Sequence, residues 1–157
     1  PVAIGLHPYL QIEGTLTKDL IITLNAKSRV DVDERLNPIG IQAIADTRFD
    51  LNNGERVGDL DLDTAYCDLI ADTDGIYRHS LEDNDGNVLQ VWADENYKHA
   101  QVYTTDGFNP KLGIDSAVAI EPTTAPPNAF NSGTDLKWLE PKEKWLSKWG
   151  IVLINSR

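Results

Sequence analysis

An all-β fold, a sandwich or barrel of short antiparallel strands, follows from three features of the sequence. Helical periodicity is almost absent across its 157 residues. Short β-prone runs alternate with turn residues along the whole chain. Asp85-Gly86 lies between two such runs, where glycine accepts the positive φ of a tight hairpin. The length suits one domain, and no repeat, low-complexity tract or linker divides residues 1–157.

In chain order the predicted strands are Val2–Leu6, Leu20–Leu24, Ile76–Leu81, Val88–Ala93, His99–Thr104, Ala117–Glu121, Leu136–Leu139 and Trp145–Ile154. Asp72-Thr73-Asp74-Gly75 marks the turn before the third. Glu82-Asp83-Asn84-Asp85-Gly86-Asn87 joins the third to the fourth as a hairpin. Trp145–Ile154 is long and is expected to bend near Gly150. Residues 121–131 differ from the rest. Pro122, Pro126 and Pro127 remove three backbone donors, so this stretch is expected to be neither strand nor helix. A rigid loop with an acid at its base can hold a site, and it can equally be a structural crossover.

Composition narrows the partners. Hydrophobic residues make up 41% and charged residues 25%, both ordinary for a globular chain. A net charge of −11 argues against nucleic acid and anionic membrane surfaces, which attract positive charge. No apolar run approaches the ~18 residues of a membrane span. Cys67 is the single cysteine, so no internal disulfide can form; this weakly favours a reducing, cytoplasmic compartment. The sequence begins at Pro1 as if in mid-strand and contains no methionine, which suggests that chain upstream is missing.

Several residues could carry chemistry. His7, at a strand end, can give or take a proton near neutral pH, or simply be a hydrogen-bonded structural histidine. Glu121 ends the apolar run Ala117–Ile120. Partial burial there would raise its pKa toward that of a useful base; alternatively it is a rim residue bonded to backbone donors. Asp59, Asp61 and Asp63 alternate and would share one face of an extended chain, as a solvated acidic loop or a cation site. The calcium-loop pattern is incomplete. His79 and His99 read as ordinary strand residues, and the scatter of the three histidines predicts no metal site. Tyr103 is among several aromatic residues that could offer a face to a sugar.

The order of these pieces carries a resemblance. Gly5-Leu6-His7-Pro8-Tyr9-Leu10, Leu62-Asp63-Thr64-Ala65-Tyr66, Val91-Trp92-Ala93-Asp94 and Gln101-Val102-Tyr103-Thr104 come first. Ala119-Ile120-Glu121-Pro122-Thr123-Thr124-Ala125-Pro126-Pro127-Asn128-Ala129-Phe130, Leu139-Glu140-Pro141 and Trp149-Gly150-Ile151 follow. Together they resemble the second half of the aldose 1-epimerase (galactose mutarotase) family, over nearly the whole chain. The stretch from Glu121 to Phe130 is the most specific piece.

The resemblance implies the C-terminal portion of a galactose mutarotase-like antiparallel β-sandwich, or supersandwich. It implies an isomerase that interconverts hexose anomers without a cofactor. It makes Glu121 the general base and His7 the acid that protonates the ring oxygen. Asp63 would bind sugar hydroxyls, and Tyr9, Tyr103 and Asn128 are expected beside it. Acid and base are expected on one cleft, about a sugar ring apart. Well-studied galactose mutarotases carry Asn before this histidine and Ser after it, where this chain has Leu6 and Pro8. A further histidine and an arginine come from the family's first half. The piece alone is therefore expected to be a poor catalyst with open sheet edges, which invite pairing with another copy. A carbohydrate-binding domain of the same fold without catalysis is the alternative.

Overall fold

Alternation of apolar and polar residues along short strands builds two antiparallel sheets. The computed structural model describes residues 1–156. The strands are β1 (Tyr9–Leu10), β2 (Ile21–Leu24), β3 (Ala26–Val32), β4 (Pro38–Ala43), β5 (Glu55–Arg56), β6 (Asp63–Leu69), β7 (Tyr77–Glu82), β8 (Val88–Ala93), β9 (His99–Asn109), β10 (Ile114–Thr123) and β11 (Trp149–Ile154). One sheet runs β1-β10-β9-β6-β3-β4 and the other β11-β8-β7-β2-β5. The core lies between them: Tyr66, Val102, Val118 and Ile120 of the larger sheet meet Ile22, Leu24, Leu81 and Val91 of the smaller. Among the described residues, no helix is long and apolar enough to cross a membrane.

The expected hairpin forms between β7 and β8. Asp83 Oδ1 accepts the backbone N–H groups of Asp85 (2.9 Å) and Asn87 (2.8 Å), and Gly86 takes φ +81°. These bonds favour the ionised carboxylate. The Asn87 side chain acts first, holding Asp83 below the usual carboxylate pKa.

Four expectations need correction. Val2–Leu6 is not a strand: only Val2 and Gly5 make isolated bridges, to Lys137 and Thr123. Leu136–Leu139 has only the Lys137 half of that contact. The last strand starts at Trp149 rather than Trp145. Finally, residues 121–131 are partly regular, since β10 continues through Thr123 and Ala129–Ser132 forms one helical turn. Pro122 is tolerated because its carbonyl faces the N-terminal segment, accepting from Leu6 N–H at 3.1 Å. In an extended strand a residue's N–H and C=O point to the same side, so the missing donor costs the β9 ladder nothing.

Strands β3, β4 and β6 were not evident from the sequence. β4 begins with a proline, lies at a sheet edge and is exposed along most of its length. Without a buried face its pattern carries no period of two.

Gly150 pairs with Trp92 across β11 and β8. The Trp92 indole covers it: an added Cβ would lie 2.6 Å from Nε1 and 2.8 Å from Cε2. The Gly150→Val protein should therefore unfold about 1–3 kcal/mol more easily, the usual range for overpacking. Urea denaturation checks this. An unchanged midpoint would mean that the indole moves aside freely.

Candidate functional site

The site is built by register on the face of the larger sheet that points away from the core. Gly5 lies opposite Thr123 and Tyr9 opposite Ala119, with no offset between these pairs. His7 therefore lies directly opposite Glu121. Glu121 pairs in turn with Gln101 of β9, and Gln101 with Ala65 of β6. Two residues along, Tyr9, Ala119, Tyr103 and Asp63 form the next row. Side chains two apart in a strand share a face, so His7, Glu121, Gln101, Tyr9, Tyr103 and Asp63 converge there. The loop after β10 fixes the N-terminal segment. Thr124 Oγ1 accepts from Ile4 N–H, and Thr124 N–H donates to Ile4 O, both at 2.9 Å.

His7 Nε2 stands 3.3 Å from Glu121 Oε1. They share one face, but they are in contact rather than a sugar ring apart. Register is the reason: directly opposed residues have Cβ atoms about 4.5–5.5 Å apart, which leaves no room for a ring between them. Glu121 is a buried acid whose side chain is 12% exposed, while His7 is 53% exposed. Burial pushes the Glu121 carboxyl pKa above its ordinary 4.5. The neighbouring His7 pulls it down in part, and the negative charge of Asp63 adds to the rise.

Gln101 links the two rows. Its Nε2 donates to Asp63 Oδ1 at 2.6 Å. Sequence reasoning missed this residue, although its place two before Tyr103 in an alternating strand put it on the same face. Tyr9 packs on His7 at a centroid distance of 4.9 Å and on Phe108 at 4.5 Å. Burial, then Tyr103 and Glu121, raises the Tyr9 phenol pKa. Asn128 does not join this group. It takes φ +66° ahead of the one-turn helix, and its Oδ1 accepts from the Asn131 side chain. Asp59 is also apart, closing a short 3₁₀ turn and pairing with Arg56 at 3.7 Å. His79 and His99 are buried strand residues, and Asp135 holds His99 Nε2 at 2.9 Å.

The surface over these rows is hollowed. A depression of about 370 Å³ is walled by Glu121, Gln101, Ala65 and the Ala125–Pro127 loop. Beside it, a groove of about 270 Å³ runs past Gln101 and Ala65 to Asp61 and Asp63. Acid, base, an amide and a carboxylate on an open polar face can move protons on a polyhydroxylated ligand. Among the described residues, no group of three or more His, Cys, Asp or Glu side chains is placed to hold a metal.

The sequence model of the family described as aldose 1-epimerase matches residues 1–151. The chain is 26% identical over 140 residues to the Escherichia coli K12 protein YihR, described as uncharacterized, covering 89% of this chain and 42% of that one. It superposes on the crystal structure of a GalM/aldose epimerase homologue from C. elegans with a TM-score of 0.80 at 20% identity, covering 98% of this chain and 51% of that one. A galactose mutarotase-like protein from Clostridium acetobutylicum gives 0.79 at 20% identity, covering 99% and 48%. The chain thus spans about half the length of these relatives. At such identities the structural likeness speaks to the fold, a galactose mutarotase-like arrangement of antiparallel sheets.

Proposed function

The chain belongs to the aldose 1-epimerase family, and from that premise we propose that its hollowed face interconverts the α and β anomers of a hexose. One observation carries the reading: a buried carboxylate with a raised pKa, Glu121, lies 3.3 Å from the half-exposed imidazole of His7. Glu121 takes the proton from the anomeric hydroxyl while His7 gives one to the ring oxygen. The bond from the anomeric carbon to the ring oxygen breaks, leaving an open-chain aldehyde. Rotation about its bond to the next carbon and reversal of both transfers give the other anomer. The two reacting oxygens sit on one carbon, so their acid and base can be cross-strand neighbours. Gln101 and Asp63 are placed to hold ring hydroxyls, and the rings of Tyr9 and Tyr103 to meet the sugar's C–H faces. The relatives are about twice as long, and in this proposal the far side of the sugar is held by the other half of the fold. Residues 1–157 would then form a weak catalyst alone, because a sugar gripped from one side is poorly positioned. A cytoplasmic place is part of the proposal, in keeping with the free, buried Cys67 thiol.

Polarimetry of freshly dissolved α-anomer tests the reading. The base must be ionised, so the rate should fall as pH drops through the Glu121 pKa. That acid limb should have its midpoint above the 4.5 of an ordinary glutamate. A limb at or below 4.5 would mean that burial does not act on the base. Sugar binding by the intact protein without any rate enhancement would instead fit a carbohydrate-binding domain.

A further inference from the structure

Of the proposed acid and base, the acid is the less firmly held. Glu121 is buried, whereas the His7 side chain is 53% exposed. Among the described residues Glu121 is its one charged partner, at 3.3 Å. A half-exposed imidazole held at one edge can turn about its side-chain bonds. Its ring also meets Tyr9, tilted by 37° at 4.9 Å between centroids. Pro8 lies between the two residues and fixes its own φ, so both sit in a stiff stretch of chain. Tyr9 in turn needs support. Across the β1–β10 ladder it faces Ala119, which offers only a methyl group. The support comes from the end of β9, where the Phe108 ring lies 4.5 Å from that of Tyr9, tilted by 44°. Both spacings are those of favourable aromatic contacts.

A local irregularity puts Phe108 there. Counted from Tyr103 and Thr105, a regular strand would turn Phe108 to the opposite side of the sheet. β9 is not regular at this point. Asp106 pairs with Ser116 and Asn109 with Ile114, so three steps on β9 (106 to 109) match two on β10 (116 to 114). The extra residue is a β-bulge, and Gly107 takes the positive φ, +67°, that such a bulge uses. A Cβ on Gly107 would meet nothing within 4 Å, so the glycine serves the backbone and not packing. One extra residue reverses the alternation and brings Phe108 to the face of Tyr103 and Glu121. Among the described residues, β9 and β10 pair only with each other beyond Thr105 and Ala117. Phe108 therefore rides on a two-stranded arm, and the bulge increases the twist that carries it over the site.

We propose that Phe108 is a positioning residue: through Tyr9 it holds the His7 imidazole in the orientation that faces Glu121. This rests on the proposed role of His7 as the acid. The arm does no chemistry itself, but it decides how often His7 is aimed at the reacting oxygen.

The test uses the intact protein with ¹³C-labelled histidine and tyrosine rings. The wild type should give a nuclear Overhauser effect between His7 and Tyr9. Phe108→Ala should weaken it and move the His7 ring signals, while those of the buried His79 and His99 stay in place. Phe108 lies outside the core cluster, so this variant should keep its fold. By polarimetry it should lower kcat about three- to tenfold, the size of a lost aromatic contact, with KM little changed. Phe108→Tyr, which keeps the ring, should restore both the His7 signals and kcat. Unmoved His7 signals, movement of all three histidines together, normal turnover in Phe108→Ala, or an equal loss in Phe108→Tyr would overturn the positioning role. The catalytic reading fails separately, when the wild type interconverts no anomers although His7 and Tyr9 are in contact.

Discussion

In the intact protein, Glu121→Gln should lower kcat for anomer interconversion by ~10²–10⁴-fold, the usual contribution of a general base. The amide keeps the length and shape of the carboxylate and can still bond a sugar hydroxyl. It cannot accept the anomeric proton. Because Glu121 is buried and its pKa is raised by that burial, the wild-type carboxylate is a stronger base than an exposed glutamate. KM should change little, since in the proposed arrangement Gln101 and Asp63, linked by their own hydrogen bond, still hold the ring. Polarimetry gives kcat, and sugar titration separates binding from turnover. Near-normal turnover in the variant would assign the base elsewhere. Asp63, a second carboxylate in the same rows, would then be the next to replace.

Acid should destabilise the protein through His79 by about 3 kcal/mol, at about 1.4 kcal/mol for each pH unit between its unfolded and folded pKa values. His79 lies in β7 opposite Leu24 and Val91, within the smaller sheet. It is 2% exposed, and its Nδ1 has no hydrogen-bond partner. Burial lowers its pKa from 6.5 to about 4, with Asp72 opposing the shift only in part. The folded state therefore keeps this imidazole neutral, while the unfolded chain protonates it near pH 6.5. Stability tied to His79 is complete above that pH and is lost as pH falls toward about 4, where the folded state also takes the proton. Glu121 acts with the opposite sign, since a raised carboxyl pKa favours the folded state as pH falls. Comparison with His79→Leu isolates the histidine. Urea midpoints at about pH 7.5 and about pH 4.5, on either side of most of this window, should differ strongly in the wild type and much less in the variant. Equal differences in both would show that His79 is not the group responsible.

Much of the fold was legible in the residues. The Asp-Gly turn and the apolar runs around it predicted β7 and β8, with Val88–Ala93 correct to the residue. The runs that became β2, β9 and β10 were legible for the same reason: each has a face buried in the core, and burial imposes a pattern. β4 was not, because an edge strand with little burial is free of that constraint. Val2–Leu6 and Leu136–Leu139 looked like strands because they are apolar. Tertiary structure gave each only bridging contacts, so neither joins a continuous ladder.

The candidate site divides in the same way. His7, Asp63 and Glu121 could be picked out from the sequence, since titratable side chains in distinctive motifs are visible in one dimension. Their proximity was not. His7 and Glu121 are far apart in the chain and meet because the N-terminal segment lies along β10 in one unbroken register. That register also brought in Gln101, and it left Asn128 facing its own loop. Composition and motifs by themselves determined an acidic all-β chain resembling the aldose 1-epimerase family, with a carboxylate and an imidazole as candidate reactive groups. Only the tertiary structure decided which side chains share a face, how deeply Glu121 is buried and where the hollows run. Those depend on pairing between distant strands, and a one-residue slip would have turned every one of these side chains to the opposite face.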